Sequence, residues 1–184
     1  MRVLSGSARG RKLETVKGLD VRPTTDRVKE SIFNIIQFSV EGANTLDLFA
    51  GSGALGIEAL SRGAKSVTFV EPASEAFKMV QKNVKTCGLE KNANIVKSEA
   101  EMFLKRYDKE PFDLVLLDPP YGKGLVEQAI NWLQACEALS DRGIIVAESE
   151  TGDIAPDMIG AVSLQRSYRY GKTMIHIYRR GGQA

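Results

Sequence analysis

From residue 45 to residue 149, short apolar stretches alternate with stretches of helical periodicity. Strict alternation of strands and helices is typical of a parallel sheet with helices on both faces, because parallel strands need long crossover connections. The apolar stretches predict strands over residues 45–50, 66–71, 93–98, 112–118 and 142–149, and the stretches between them predict helices over residues 54–63, 72–88, 99–107 and 124–139.

The two ends of the chain depart from this alternation. Residues 2–16 predict two short strands around a Gly-rich turn, and residues 162–180 predict a strand, a Gly-Lys turn and a second strand. Residues 22–38 predict a helix with Thr25 or Asp26 as its N-cap. We therefore predict an α/β fold with a mostly parallel, doubly wound sheet, a C-terminal antiparallel hairpin and a small N-terminal β-hairpin.

The length and composition suit one ordinary globular domain. With 184 residues, of which 43% are hydrophobic, the chain predicts a single domain over residues 1–184, with residues 1–20 as the β-hairpin appendage. No apolar run has the length of a membrane span, and the first residues lack the apolar core of a secretory signal. We therefore expect a cytoplasmic protein that does not contact a membrane.

The chain is poor in the cysteines and histidines that build zinc sites and catalytic triads. Cys87 and Cys136 are the only cysteines and form no CxxC pair, and His176, the only histidine, lies in an alternating stretch near the C-terminus. These counts argue against a disulfide framework, a zinc site and a histidine-dependent triad, so we expect no bound metal.

Charge is unevenly distributed along the chain, although the net charge is only +2. Residues 1–30 carry a net charge of +4, residues 165–184 carry +5, and the residues between them carry −7. Basic ends on an acidic body are typical of proteins that meet a polyanion with their ends. Solvated loops and tails would give the same pattern, so charge alone does not decide between these two interpretations.

The first predicted strand leads into a glycine-rich loop and a helix, with the sequence LDLFAGSGALGIEAL at residues 46–60. Gly51, Gly53 and Gly56 match the pattern G-x-G-x-x-G in the strand–loop–helix setting that this pattern requires. Glu71 ends the next predicted strand, where a carboxylate can accept hydrogen bonds from ribose hydroxyls. The loop therefore predicts an adenosine-containing cofactor, and both NAD and S-adenosylmethionine fit the pattern.

Two features favour S-adenosylmethionine over NAD. Asp47 lies just before the loop, where its carboxylate would repel a pyrophosphate but attract an ammonium or sulfonium cation. The chain also has no obvious acid or base for hydride transfer. An NAD-linked oxidoreductase nevertheless stays open as an alternative, and a comparison of the binding of the two cofactors would decide it.

The sequence DPPY begins at Asp118, the last residue of the predicted strand 112–118. Prolines donate no backbone N–H to a sheet, so the strand must stop there. Asp118 and the carbonyl of Pro119 could each accept one N–H of a nucleobase amine and aim its lone pair at a methyl group. Pro120 would stiffen the turn, and Tyr121 would give an extruded base a face to stack on. A rigid turn with the tyrosine as a lid on the core is the plainer alternative.

The segments LDLFAGSG, VEPA and DPPY, in this order, resemble class I S-adenosylmethionine-dependent methyltransferases that act on amino groups of nucleobases. The opening RVLSGSARGRKL, the stretch RPTTDRVKESIFNII and the tail RYGKTMIHIY extend the resemblance over nearly the whole chain, and the chain as a whole is similar to the RsmD family. The resemblance implies a Rossmann-like class I fold, S-adenosylmethionine as cofactor, and methylation of the N2 amine of a guanine in bacterial 16S ribosomal RNA.

The resemblance also implies roles for single residues. Asp118, Pro119, Pro120 and Tyr121 would be the catalytic residues that hold the target guanine. Glu99 would lie near the adenine of the cofactor, although the family more often has Asp there. The residues expected to bind the cofactor are Asp47, Gly51, Ser52, Gly53, Glu71, Glu99 and Thr25.

Basic residues near both ends would meet the RNA. The turn at residues 22–25 would close over the site, and the basic tail after residue 165 would extend the RNA surface, with most of its tyrosines packed on the sheet. The expected partner is 16S ribosomal RNA within the small subunit or an assembly intermediate, bound by a monomeric enzyme. The residues expected to bind RNA are Arg2, Arg9, Arg11, Lys12 and Arg22.

Two further alternatives stay open at this point. The DPPY sequence is shared with adenine-N6 methyltransferases, so RNA or DNA adenine is a second candidate substrate. A non-catalytic ribosome-assembly factor could also keep this fold. Intact glycines in the loop and an intact Asp118 argue against the second alternative.

Overall fold

The strands found among the described residues form a single eight-stranded sheet. The computed structural model describes residues 1–15 and 26–181. The strand order across the sheet is β3-β2-β1-β4-β5-β8-β7-β6. The strands are β1 (Asn44–Asp47), β2 (Ser66–Val70), β3 (Ala93–Val96), β4 (Phe112–Leu117), β5 (Leu139–Glu150), β6 (Met158–Ile159), β7 (Val162–Tyr170) and β8 (Thr173–Arg180).

Strand direction determines what gathers at each edge of the sheet. The pairs β3–β2, β2–β1, β1–β4 and β4–β5 are parallel, so the carboxyl ends of these five strands share one edge. Strand β8 is antiparallel to β5, and β7 is antiparallel to β8, so the β7–β8 turn lies at the same edge. The strand order reverses between β1 and β4, which is where open α/β sheets form their ligand crevice.

In the described part of the chain, five helices cover the two faces of the sheet, and each face has its own apolar core. Helices α1, α2 and α3 pack on one face, here called the α1 face, and α4 and α5 pack on the other. The strands supply both cores, because successive side chains point to opposite faces. The helices are α1 (Asp26–Ile35), α2 (Ala54–Ser61), α3 (Ser74–Cys87), α4 (Ala100–Lys105) and α5 (Leu125–Ala135). Within the described ranges, none of them combines the length and apolar character of a membrane span.

The prediction of a mostly parallel sheet with a C-terminal antiparallel hairpin is confirmed, and the differences concern element ends. Strand β5 begins at Leu139, before the predicted residue 142, because Leu139 pairs with Phe112 across a register shift. Helix α1 ends at Ile35 rather than at residue 38, and a 3₁₀ turn follows over Gln37–Ser39. Strand β6 has only two residues, too few for any periodic signal.

The N-terminal segment folds back on itself through one antiparallel bridge, between Arg2 and Lys12, and has no regular strands over residues 1–15. The bridge is supported by a hydrogen bond from the Val3 N–H to the Arg11 carbonyl at 2.9 Å. The two predicted strands therefore correspond to a short bridged loop. The predicted N-cap Thr25 lies outside the described residues.

Buried polar side chains of α2 and α3 hold this segment in place. The Ser61 hydroxyl accepts a hydrogen bond from the Ala8 N–H at 2.9 Å. Asn83, which is 1% exposed, accepts from the Glu14 N–H at 2.9 Å and donates to the Glu14 carbonyl at 3.0 Å. Residues 1–15 thus satisfy their main chain with side chains from the second and third helices.

A buried ion pair links α1 to α2. The ammonium of Lys29 lies 3.2 Å from the carboxylate of Glu58, and both side chains are fully buried. Lys29 also donates a hydrogen bond to the Arg2 carbonyl at 2.6 Å. Burial lowers the pKa of Lys29, and the charge of Glu58 opposes that shift.

Glu58 accepts more than this one partner. Its carboxylate also accepts hydrogen bonds from the Leu4 N–H at 2.8 Å, the Ser5 N–H at 3.0 Å and the Arg62 guanidinium at 2.8 Å. One buried carboxylate therefore joins the N-terminal segment, α1 and α2. Such a group is stable only while its partners remain, because an unpaired buried charge is expensive.

Replacing Lys29 by Met should lower the free energy of unfolding by about 3–5 kcal/mol, because Glu58 would lose its ammonium partner inside the core. Urea denaturation measures this change. Lys82→Met is the matched control, since Lys82 pairs with Glu14 at 2.6 Å but both side chains are more than half exposed. The control should cost less than about 1 kcal/mol. Equal losses in the two variants would contradict the role given to the buried pair.

Candidate active site

Parallel pairing brings four carboxylates to the edge where the strand order reverses. Asp47 ends β1, Glu71 follows β2, Asp118 follows β4, and Glu148 lies near the end of β5. A hydrogen bond from the Leu48 N–H to the Leu116 carbonyl, at 3.1 Å, continues the pairing of β1 and β4 up to the glycine loop. The glycine loop and the DPPY turn therefore start side by side.

The glycine loop depends on close approach of its backbone to the sheet. Gly53 is the N-cap of α2 and has a φ of 78°, a left-handed conformation that residues other than glycine rarely adopt. A Cβ on Gly56 would lie 2.3 Å from the Phe69 ring and 2.9 Å from a carboxylate oxygen of Asp47. The third glycine of the pattern thus lets α2 pack directly against β1 and β2.

Asp47 caps α2 from the neighbouring strand. It is 1% exposed, and its Oδ2 accepts the Gly56 N–H at 2.9 Å, one of the first-turn donors that a helix cannot satisfy itself. Burial raises the pKa of Asp47 to about 7; the Gly56 hydrogen bond opposes this shift, and the charge of Glu71 adds to it. Its expected attraction for a cofactor cation stays a prediction, and the helix cap is a contact that the sequence analysis missed.

Glu71 connects two loops at this edge. Its Oε2 accepts the Gly51 N–H and its Oε1 accepts the Ala73 N–H, both at 2.9 Å. A carboxylate offers about four acceptor positions, so two remain for ribose hydroxyls. The residue that the sequence pattern assigns to a ribose also fixes the shape of the loop that would receive it.

Asn83 ties the same loop to the N-terminal segment. Besides its bonds to Glu14, its amide donates to the Ser52 carbonyl at 2.9 Å. Ser52 is partly buried, and its backbone position is therefore set by α3. Nothing in the local sequence signals this role, since a lone Asn in a helix usually faces water.

The DPPY turn places its residues at different depths. Pro119 is buried, Pro120 is exposed, and Asp118 and Tyr121 are partly exposed. The Tyr121 hydroxyl donates a hydrogen bond to Oε1 of Glu148 at 2.7 Å. Burial, followed by the hydrogen bond and charge of Glu148, raises the pKa of Tyr121, so the hydroxyl stays a donor. The tyrosine ring is thereby fixed at the edge of the sheet.

Glu148 is the main residue at this edge that the sequence analysis overlooked. It is 3% exposed although it is a carboxylate, and it lies in the apolar run of β5. An acid inside such a run is itself a signal, because buried carboxylates need partners. The run IIVAESE could have pointed to it, but no motif marks the position.

The remaining predicted site residues lie farther out. Glu99 is exposed at the N-cap position of α4, three residues after the end of β3. The predicted RNA-binding residues of the N-terminal segment are all exposed, and Arg2 forms an ion pair with Asp26 at 3.5 Å. Thr25 and Arg22 lie outside the described residues. The exposed set is Arg2, Arg9, Arg11 and Lys12.

The raised pKa of Asp47 predicts a stability that falls as the pH rises. Between pH 3.8 and about 7 the unfolded chain loses this proton while the folded chain keeps it, so ionisation favours unfolding. Relative to Asp47→Asn, the wild type should lose about 4 kcal/mol of unfolding free energy over this window. Urea denaturation at several pH values measures the difference.

Asp113→Asn serves as the control for that series. The Asp113 carboxylate also accepts a backbone hydrogen bond, from the Asn44 N–H at 3.0 Å, but it is exposed. This control should leave the pH dependence nearly unchanged. A wild type and an Asp47→Asn variant with parallel pH profiles would show that the Asp47 pKa is not raised.

Comparison with known proteins identifies the family. A family model described as "Conserved hypothetical protein 95" matches residues 1–179. Ribosomal RNA small subunit methyltransferase D of Escherichia coli (strain K12) is 39% identical over 183 residues, which cover 100% of this chain and 91% of that protein.

Solved structures agree with this match. The structure of yhhF from Escherichia coli superposes with a TM-score of 0.88 at 40% identity, over 100% of this chain and 99% of that one. An RNA methyltransferase from Salinibacter ruber, solved in complex with S-adenosyl-L-homocysteine, gives a TM-score of 0.66 at 19% identity over 89% of this chain and 96% of that one, a likeness of fold alone. The predicted family is confirmed: the chain belongs to the RsmD family of ribosomal RNA methyltransferases.

Proposed function

We propose that this protein transfers a methyl group from S-adenosylmethionine to the exocyclic N2 amine of a guanine in bacterial 16S ribosomal RNA. Membership of the family confirms two predictions: that the protein is an S-adenosylmethionine-dependent enzyme, and that it methylates ribosomal RNA. The observation that supports the site itself is the adjacency of the glycine loop and the DPPY turn at the end of the paired strands β1 and β4.

The chemistry of the site suits this cofactor. S-adenosylmethionine supplies an electrophilic methyl group on a sulfonium cation. Glu71 has acceptor capacity left for ribose hydroxyls, and the glycine loop allows close approach of a ligand to its backbone. Asp47, which borders the loop, would gain a favourable charge interaction with the ammonium or sulfonium if it is ionised. Gly51, Ser52, Gly53, Glu99 and Thr25 complete the proposed cofactor set.

The DPPY turn would prepare the amine for attack. An amine on a nucleobase is a poor nucleophile, because its lone pair is delocalised into the ring. Asp118 and the Pro119 carbonyl would each accept one N–H, which holds the nitrogen pyramidal and stabilises the positive charge that develops on it. The product cation is acidic and can lose its proton to solvent, so Asp118 need not be a strong base.

Tyr121 would present the ring on which the extruded guanine stacks. Its hydroxyl is held by Glu148, so the ring does not have to be ordered when the base arrives. Pro120, exposed beside it, limits the conformations of the turn. These contacts would orient the base, and orientation is the main requirement for methyl transfer to a weak nucleophile.

The partner would be the small ribosomal subunit or an assembly intermediate. The residues proposed to contact its phosphates are Arg2, Arg9, Arg11, Lys12 and Arg22. We propose a monomeric cytoplasmic enzyme built as a single domain over residues 1–184, with residues 1–20 as its N-terminal appendage. Adenine-N6 methylation is the alternative. It would use the same DPPY chemistry, so only the identity of the methylated nucleoside distinguishes it from this proposal.

The direct test is transfer from labelled S-adenosylmethionine to small subunits from cells that lack the enzyme. Digestion and mass spectrometry then identify the labelled nucleoside. We expect N2-methylguanosine. N6-methyladenosine would keep the fold and the DPPY mechanism and overturn the choice of base, and no transfer to particles, RNA or DNA would overturn the proposal.

Asp118→Ala should lower kcat by about 10²–10³-fold or more, because the amine loses one of its two acceptors. Binding of S-adenosylmethionine, measured by calorimetry, should change little. Activity within a few fold of the wild type would contradict the role proposed for Asp118.

Two substitutions at Tyr121 separate the ring from the hydroxyl. Tyr121→Ala should raise KM for the RNA by roughly tenfold or more, since stacking is worth about 1–3 kcal/mol per base. Tyr121→Phe keeps the ring but removes one donor from the buried Glu148, which should cost about 1–3 kcal/mol of stability. Steady-state kinetics and urea denaturation measure the two effects, and equal KM values in both variants would argue against stacking.

A further inference from the structure

A groove lies on the α1 face, between the end of helix α1 and the strands β5, β8 and β7. Its volume is about 290 Å³, and it lies outside the crevice formed by the glycine loop and the DPPY turn. We call it the α1–β7 groove. Its lining residues are Ile35, Ile36, Ile144, Gln165, Arg166, Tyr168, Ile177 and Arg179.

The groove lies on the same side of the sheet as the DPPY tyrosine. Glu148, which accepts the Tyr121 hydroxyl, pairs with Ile175 on β8, and Ile175 pairs with Tyr168 on β7. These three residues form one row across the strands, and neighbouring strands are about 4.8 Å apart. The Tyr168 position is therefore about 10 Å from that of Glu148. An RNA strand with one base on Tyr121 could reach the groove along this face of the sheet.

The rim of the groove is cationic and available to a partner. Arg166 and Arg179 are exposed, and within the described residues neither forms an ion pair. The guanidinium of Arg166 lies 6.0 Å from the centre of the Tyr168 ring. Residues 165–184 contain no Asp or Glu, so no nearby acid on this hairpin neutralises the two arginines.

Beneath the rim, the groove is apolar. Isoleucines from α1, β5 and β8 form its floor, and the partly buried Tyr168 forms one wall. An aromatic ring beside an apolar floor, under unpaired arginines, is the combination with which proteins bind single-stranded RNA, stacking a base and neutralising its phosphate. A duplex would not fit this arrangement, because its bases are already stacked on each other.

We propose that the α1–β7 groove binds an unpaired nucleotide that flanks the target guanine, with its base against Tyr168 and its phosphate between Arg166 and Arg179. This inference rests on the proposed function and adds a second RNA contact to the DPPY turn. The enzyme would thus recognise a short single-stranded segment at two points and would hold the RNA in a fixed register at the reacting amine.

The test is equilibrium binding of the full chain to a 16S ribosomal RNA transcript and to a single-stranded RNA of about 12 nucleotides. The double variant Arg166→Ala/Arg179→Ala should bind both RNAs at least about tenfold more weakly than the wild type. The slope of log K against log salt should fall by about 1.4 in magnitude, the value for two lost contacts to a single strand. Binding of S-adenosylmethionine should not change.

The matched control removes two positive charges from the opposite side of the sheet. Arg106→Ala/Lys109→Ala alters exposed residues after α4, which packs on the other core. This variant should bind both RNAs as the wild type does. An equal loss of affinity in the two double variants would show that only net charge matters and would overturn the proposal.

Substitutions of Tyr168 test the stacking contact separately. Tyr168→Ala should weaken binding of the short RNA by about tenfold, whereas Tyr168→Phe should bind it normally. Thermal denaturation checks that each variant is folded. A loss in the Phe variant equal to that in the Ala variant would overturn the stacking contact.

The remaining outcomes separate this inference from the proposed function. Normal RNA binding by Arg166→Ala/Arg179→Ala, with methyl transfer by the wild type, would overturn the groove and leave the proposed function standing. A loss of affinity for small-subunit particles but not for naked RNA would assign the groove to a ribosomal protein and would also overturn it. No RNA binding or transfer by the wild type would overturn the proposed function itself.

Discussion

Parallel hydrogen bonding between neighbouring strands is the constraint on which the site depends. It directs the ends of β1, β2, β4 and β5 to one edge, and with them Asp47, Glu71, Asp118 and Glu148. Four carboxylates would repel each other if they faced one another in water. Here Asp47 and Glu71 accept hydrogen bonds from backbone N–H groups and Glu148 accepts one from Tyr121, so the fold itself offsets part of that repulsion.

The distribution of charge separates two tasks. Acidic groups lie at the carboxyl edge of the sheet, where the proposed cofactor brings cations, and exposed arginines lie on the N-terminal segment and on the C-terminal hairpin. Phosphates would be repelled by the acidic edge and attracted by the two basic ends. Under the proposed function, a polyanion would therefore keep its backbone on the basic periphery, and only an extruded base would enter the acidic centre.

Sequence periodicity predicted the sheet, the helices and the position of the glycine loop, because each of these has a local pattern. Contacts between residues that are distant in the sequence leave no local pattern. Asn83 and Glu148 look like an ordinary helix residue and an ordinary strand residue, and their roles follow from neighbours that lie 31 and 27 positions away. Asp47 was predicted as a charge beside the loop, but its burial and its bond to Gly56 follow from helix packing. The resemblance supplied the substrate, which periodicity alone left open.

The anchoring of the first fifteen residues has a consequence for the order of folding during synthesis. Leu4 and Ala8 find their partners in Glu58 and Ser61, more than fifty residues later, and Glu14 finds Asn83 after a further delay. At about 5–20 residues per second, the 69 residues between Glu14 and Asn83 take roughly 3–14 s to make. Residues 1–15 therefore leave the ribosome before the third helix but reach their final position only after that helix has emerged.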